Sequence, residues 1–404
     1  MSFFKLKQKV NLLRSFTTRT SPAYIQFYIT ARCNHQCEQC NIIYAQADSE
    51  EMNIEQIRSM ARNMAEIGVC IVLFIGGEPF MRKDLSEIAS AFTEVGIHVR
   101  LQTNGLASKE ELKKCVNAGA HDITMSLDCL DPTIQDSING KVNKSWERAI
   151  QTIANVNEVF PENGSGIFCS VMMQRNINHL IDVVEFANEI GWTPAIVPAH
   201  LSTPDRPRGF MAFDDDDVCK FSPSTYPHVK KVLNELKKAS ENYNVFASDD
   251  YFNDIYRFIT GEPVRWQVRN NNVCDSPNLY FAVEPNGNIS PCCDYKLQNY
   301  YPVYHKDFPK WYRSGVIHRE IYAITTECPG CMYGSYPEIT ITARYFGALL
   351  KRFLFYNANR SPKLKKLSAG EMTEIAKKIF TKNREKREKN EEIFQQLCNK
   401  SRAA

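Results

Sequence analysis

The sequence predicts an α/β protein built on an open (β/α)6 partial TIM-like barrel, with a smaller C-terminal domain and a basic helical tail. Three observations lead there. Short apolar runs alternate with segments of helical period between residues 21 and 200, the pattern of a parallel sheet wrapped by helices. The runs number six, short of the eight that close a barrel. Cys, Gly, Asn and Ser residues follow several of the runs directly, at the strand carboxyl ends where parallel barrels gather their chemistry.

In chain order, strands are predicted at Tyr24–Thr30, Cys70–Ile75, His98–Gln102, His121–Leu127, Gly166–Met173 and Thr193–Val197. Between the first two, Ile54, Ile57, Met60, Ala61, Met64 and Ile67 recur at three- and four-residue steps, one face of a helix. Asn53 with Gln56 predicts a capping box at its start. Residues 87–92 and 177–190 carry helical period as well. The predicted core is 21–205, preceded by a basic amphipathic segment, 1–20. The polar stretches Pro204–Pro207 and Asp214–Asp217 mark the connection to a bridging region, 206–265, which includes a helix near His228–Glu241. An auxiliary domain at 266–340 and a basic helical tail at 341–404 complete the chain.

After the first strand come Cys33, Cys37 and Cys40, spaced C-x3-C-x2-C on one short loop. Structural zinc closes with four ligands, whereas three thiolates suit a 4Fe–4S cube with one iron left open. After the second strand, Gly76-Gly77-Glu78-Pro79 forms a turn. Its glycines allow close backbone approach, and its carboxylate and carbonyls are acceptors for a ligand ammonium.

Together these motifs resemble the radical S-adenosylmethionine (radical SAM) enzymes, whose G-G-E-P segment is matched letter for letter. One departure stands before the third cysteine, where Gln39 replaces the usual aromatic residue. The resemblance implies a SAM-binding 4Fe–4S cluster on Cys33, Cys37 and Cys40, and S-adenosylmethionine against Gly76, Gly77, Glu78 and Pro79. It also implies a 5′-deoxyadenosyl radical that abstracts hydrogen from a substrate C–H bond. Reduced flavodoxin or ferredoxin would be the electron donor. Asn104, Ser126, Asp128, Ser170 and Arg175 are candidate contacts for the cofactor's ribose and carboxylate, the alternative being that such residues cap turns and helices.

A second cysteine group follows: Cys274, the pair Cys292-Cys293, and Cys328-Pro-Gly-Cys331. Phe281–Ser290 reads as a hairpin turning at Asn286-Gly287. The arrangement resembles the auxiliary-cluster domain called SPASM or, when shorter, twitch. It implies one auxiliary 4Fe–4S cluster on Cys274, Cys292, Cys328 and Cys331, with Cys293 the alternative to Cys292. A four-cysteine zinc site uses the same thiols, so both metals stay open.

Fourteen cysteines with no secretory leader predict a reducing, cytoplasmic setting. No run reaches the ~18 apolar residues of a membrane span. The net charge of +3 conceals basic ends: five Lys/Arg and no acid in residues 1–20, and sixteen Lys/Arg against six Asp/Glu in 344–404. Both ends carry apolar sets, Phe3, Leu6, Val10 and Leu13 at one and Tyr345, Phe346, Leu349, Leu350, Phe353 and Leu354 at the other. These suit either peripheral contact with an anionic membrane or ordinary packing on the protein. No nucleic-acid module is present, and no nucleic-acid partner is expected. The substrate is a peptide or protein, or a membrane-associated or biosynthetic small molecule. The segment before Tyr24 is short for a leader-peptide recognition domain. The alternative function is a non-catalytic zinc- or cluster-bearing binding protein.

Overall fold

The computed structural model describes residues 4, 6–37, 39–40, 50–199, 219–245, 247, 249–264, 274–293, 295–328, 330–332, 334–357 and 363–402. Phe3 and the polar stretches 204–207 and 214–217 lie outside them. Helix α1 (Leu6–Thr18) leads into β1 (Tyr24–Thr30). Further β/α steps run α2 (Ile54–Ile67) to β2 (Ile71–Gly76), α3 (Leu85–Glu94) to β3 (His98–Thr103), and α4 (Lys109–Asn117) to β4 (Asp122–Ser126). The pair α5 (Pro132–Ile138) and α6 (Ser145–Val159) leads to β5 (Ser165–Met172), and α7 (Leu180–Ile190) to β6 (Thr193–Pro198). Helices α8 (Tyr226–Ala239) and α9 (Asp249–Thr260) precede the hairpin β7 (Tyr280–Val283) and β8 (Ile289–Ser290). The chain ends in α10 (Phe308–Arg313), α11 (Val316–Glu327), α12 (Ser335–Arg344), α13 (Phe346–Asn357), α14 (Ala369–Lys382) and α15 (Arg384–Arg402).

The first six strands pair in chain order, each parallel to the last, and the sheet stays open. Every residue of β1 is buried, as expected of a strand covered on both faces. Ile25, Phe27 and Ile29 join Ile57, Met60 and Met64 of α2 on the helix side. Tyr24 and Tyr28 join Leu73 and Ile75 on the other side. The predicted capping box holds: the Asn53 side chain accepts from the Gln56 amide at 3.0 Å, and Gln56 accepts from the Asn53 amide at 2.9 Å.

The hairpin does not stand apart from this sheet. β7 pairs parallel to β1, Tyr24 opposite Tyr280 and Phe27 opposite Val283, and β8 extends it antiparallel. The sheet therefore has eight strands, six from the barrel and two from the cysteine-bearing hairpin. The physical reason lies in both partners. All four residues of β7 are buried, and β1 would otherwise present an unpaired apolar edge.

At the amino ends of the strands the barrel is sealed by a buried ionic cluster. Asp122 accepts from Arg100 Nε at 2.7 Å and from Ser165 Oγ at 2.7 Å, with His98 Nε2 at 3.2 Å. Arg100 and His98 hold its carboxyl down to about 2 despite full burial. The basic tail is also docked. Arg387 of α15 pairs with Asp182 of α7 at 2.7 Å and lies 3.6 Å from the Phe380 ring centroid, so its charge is used internally.

Candidate active site

The site is built where β1 and β2 end. Their pairing slips by one residue between Tyr28 and Thr30, an irregularity of the kind found beside functional sites. Beyond it the two chains lock together. The Gly77 amide donates to the Thr30 carbonyl and the Glu78 amide to the Arg32 carbonyl, both at 2.8 Å. A Cβ on Gly76 would sit 2.1 Å from the Thr30 carbonyl oxygen, and one on Gly77 equally close to that of Arg32. Gly76 also holds φ at +137°. These glycines thus serve first to admit the cysteine loop's own backbone.

Glu78 faces inward. Only 1% exposed, its carboxylate accepts from the Phe80 amide at 3.0 Å and the Asn104 amide at 2.6 Å, tying the end of β2 to that of β3. Burial raises its carboxyl to about 7 in spite of those bonds. Asn104 carries the connection onward, its side-chain amide donating to Asn34 Oδ1 at 2.7 Å and lying 3.7 Å from Cys33 Sγ.

Within the loop, the His35 amide donates to Cys33 Sγ at 3.4 Å and Cys37 Sγ lies 3.6 Å from Asn139 Oδ1. Burial raises the Cys33 and Cys37 thiols, and the other thiols of the loop raise them further, so the three sulfurs sense one another. Among the described residues no set of three or more ligand side chains is already drawn up around an ion position. Their chemistry nonetheless fits an iron–sulfur cluster. Three partly accessible thiols share one loop, and polar atoms of Asn104 (Oδ1), Asp128 (Oδ2) and Gln39 (Oε1) are buried with no hydrogen-bond partner.

The remaining candidates divide. Ser126 is half-buried at the end of β4. Asp128 accepts from the Val171 amide at 2.7 Å through one oxygen, and burial lifts its carboxyl to about 6. Ser170 is fully enclosed and donates to the Leu127 carbonyl at 2.5 Å, tying β4 to β5. Arg175 is exposed and donates to Ser137 Oγ at 2.8 Å.

Two supports escaped the sequence reading. Arg82, buried, donates to the Ile29 and Met52 carbonyls at 3.2 and 3.1 Å and to Asp84 at 2.7 Å, and reaches Glu51 at 3.3 Å. Glu51 in turn accepts from Arg32 at 2.9 Å, bracing the start of the cysteine loop. Asn139 supports the other flank, its carbonyl accepting from the Gln36 amide at 3.4 Å. Neither has a local motif. Only a charged residue just after Gly-Gly-Glu-Pro hinted at the first.

In the second cysteine group, Cys274 and Cys331 pack against one hydrophobic cluster, and Cys274 and Cys292 against another. Burial pushes the Cys274 thiol up to about 12, and Cys292 and Cys328 add to the rise. The Gly330 amide donates to Cys328 Sγ at 3.4 Å. Cys293 is buried in the cluster of Tyr24, Tyr28 and Tyr280.

Residues 27–187 match the model of the Radical SAM superfamily. The chain is 30% identical over 176 residues to PqqA peptide cyclase of Rhodopseudomonas palustris, covering 41% of this chain and 44% of that protein. It is 30% identical over 173 residues to GTP 3′,8-cyclase of Staphylococcus aureus, covering 40% and 49%. The chain thus spans about half the length of the curated relatives it matches. In fold it resembles Streptococcus suis SuiB (TM-score 0.55, 19% identity, 76% of this chain and 68% of that one). It likewise resembles anSMEcpe with bound AdoMet (TM-score 0.55, 15% identity, 95% and 100%).

Proposed function

We propose, taking as premise the radical SAM domain carried by residues 27–187, that this chain is an enzyme which reductively cleaves S-adenosylmethionine and abstracts hydrogen from a substrate C–H bond. Cys33, Cys37 and Cys40 would hold the 4Fe–4S cluster. When bound there, the cluster would supply the one electron needed to cleave the sulfonium of S-adenosylmethionine to methionine and a 5′-deoxyadenosyl radical. The protein's share is positioning. Gly76–Pro79 offers carbonyls for the methionine ammonium, since the Glu78 carboxylate is already taken by two amides. Asp128 keeps one unpartnered oxygen for a hydroxyl donor, and Asn104 steadies Asn34 beside Cys33. Ser126 and Arg175 are further candidate contacts, whereas Ser170 would act only through the Leu127 carbonyl it holds. Loading expels thiol protons that burial otherwise retains.

The observation that carries this reading is the pair of backbone bonds from Gly77 and Glu78 to Thr30 and Arg32. They fix the Gly-Gly-Glu-Pro turn against the cysteine loop. Anaerobically reconstituted protein given dithionite and S-adenosylmethionine is expected to release 5′-deoxyadenosine and methionine together. Full iron loading without either product would overturn the reading.

The second cysteine group would hold one auxiliary 4Fe–4S cluster of the SPASM or twitch kind on Cys274, Cys292, Cys328 and Cys331, to accept the substrate electron or bind substrate. Cys292 is favoured over Cys293 because Cys292, like Cys274, is partly accessible at the edge of the cluster in which Cys293 is buried. Cys328→Ala is expected to halve the iron per chain and leave S-adenosylmethionine cleavage intact. Zinc in its place would refute the assignment.

A peptide or protein is the favoured substrate class. A relative is named as a peptide cyclase, and solved neighbours include SuiB bound to precursor peptide SuiA and anSMEcpe bound to a peptide. Reduced flavodoxin or ferredoxin would deliver the electron. Among the described residues no helix is long and apolar enough to cross a membrane.

A further inference from the structure

Two helices of this protein turn the wrong face outward. In α1 the residues buried against the protein are Gln8 and Ser15, which bond to the Gly96 carbonyl at 3.1 Å and to Ser21 Oγ at 3.0 Å. Leu6, Val10 and Leu13, spaced to share one helix face, point away. In α13 Ala348 and Arg352 turn inward, Ala348 against a hydrophobic cluster and Arg352 paired with Glu338 of α12. Phe346, Leu350 and Leu354 recur every four residues and face out. These six apolar side chains each remain between 46% and 79% exposed. Scattered exposed leucines need no explanation, but two aligned stripes do.

The stripes belong to one region. Asp275 pairs with Arg344, at the end of α12, at 3.0 Å, and with Arg19, just past α1, at 3.8 Å. Arg19 also donates to the Ala343 carbonyl at 3.0 Å. The end of α1 and the start of α13 are thereby clamped to a single carboxylate beside Cys274.

Charge identifies what covers them. Residues 1–37 contain six Lys/Arg and no acid, and residues 339–370 contain seven and no acid. The tail differs in composition, since α15 mixes acids with its basic residues. Exposed leucines and phenylalanine, accompanied by Lys7, Lys9 and Arg14 on α1 and by Lys351 on α13 with no carboxylate on either helix, match the interface of an anionic bilayer. We propose that α1 and α13 together form a peripheral membrane-docking surface for anionic lipid. The proposal goes beyond the reaction described above and does not depend on it.

Flotation of the full-length, cluster-loaded protein tests it. Vesicles of phosphatidylcholine mixed with phosphatidylglycerol should carry the protein up, and vesicles of phosphatidylcholine alone should carry far less. Leu6→Glu with Leu13→Glu, or Phe346→Glu with Leu350→Glu, should weaken partition by at least ~10-fold, since binding scales with buried apolar area. Both pairs are exposed, so circular dichroism should be unchanged. Lys7→Glu with Lys9→Glu should remove only the phosphatidylglycerol-dependent part, as should raised salt. Equal recovery on both vesicles, no flotation at all, or glutamate variants that float like the wild type would overturn the proposal. So would a vesicle-free dimer that the same glutamates dissociate, which would make a second copy the occupant. Because the readout is flotation, its failure leaves 5′-deoxyadenosine formation untouched.

Discussion

The two ends of the same strands treat buried charge in opposite ways. At the amino ends Asp122 is surrounded by Arg100, His98 and Ser165, and its carboxyl is held near 2. At the carboxyl ends Glu78 and Asp128 are as deeply buried, have no cation bonded to them among the described residues, and are raised to about 7 and about 6. The first end is satisfied internally and reads as stability. The second keeps polar atoms without partners on Asn104 and Asp128, the mark of a place arranged for something other than the protein itself.

Substitutions should separate the two ends. The largest effect falls on Cys37→Ala, expected to reduce 5′-deoxyadenosine release to background while the melting temperature of the metal-free protein stays unchanged. A matching loss of stability would mean the loop is structural. Gly77→Ala should come next, lowering the release rate about 10²-fold, because the added methyl must displace the Arg32 carbonyl and shift the cysteine loop. Asp122→Ala should do the reverse. It removes the buried carboxylate that Arg100 and His98 share and should cost about 3 kcal/mol in urea unfolding, with the Kd for S-adenosylmethionine unmoved.

The pH profile of the metal-free protein gives the finest comparison. Asp122 is depressed from 3.8, so its contribution is present above that value and disappears as pH falls through about 2. Glu78 is raised from 4.5, so its contribution is greatest below that value and disappears as pH rises through about 7. Glu78→Gln should flatten the stability curve between about 4.5 and 7, and Asp122→Asn should flatten only the acid limb. Identical curves for both variants would erase the distinction.

The six barrel strands and the cysteine loop were legible because their signals are local. Each strand is one apolar run, and each motif is contained in eight residues or fewer. What escaped depends on distant partners. Nothing around Tyr280 announces that β7 will pair with β1, since either a free hairpin or a sheet edge accepts the same residues. Ser170 sits where a polar contact is expected, yet its hydroxyl is spent on Leu127, forty-three positions away. Arg82 supports the loop through carbonyls that sequence does not mark. The apolar sets of α1 and α13 were visible as composition, but only packing reveals which way they turn.

The parallel pairing of β7 with β1 also limits how this chain can be dissected. A shortened version ending before Cys274 would strip hydrogen-bonding partners from Tyr24 to Phe27 and leave an apolar ladder open to other molecules. Such a fragment should gather into insoluble aggregates on expression. The segment that carries the later cysteines can therefore be removed only where another strand takes the place of β7 along that edge.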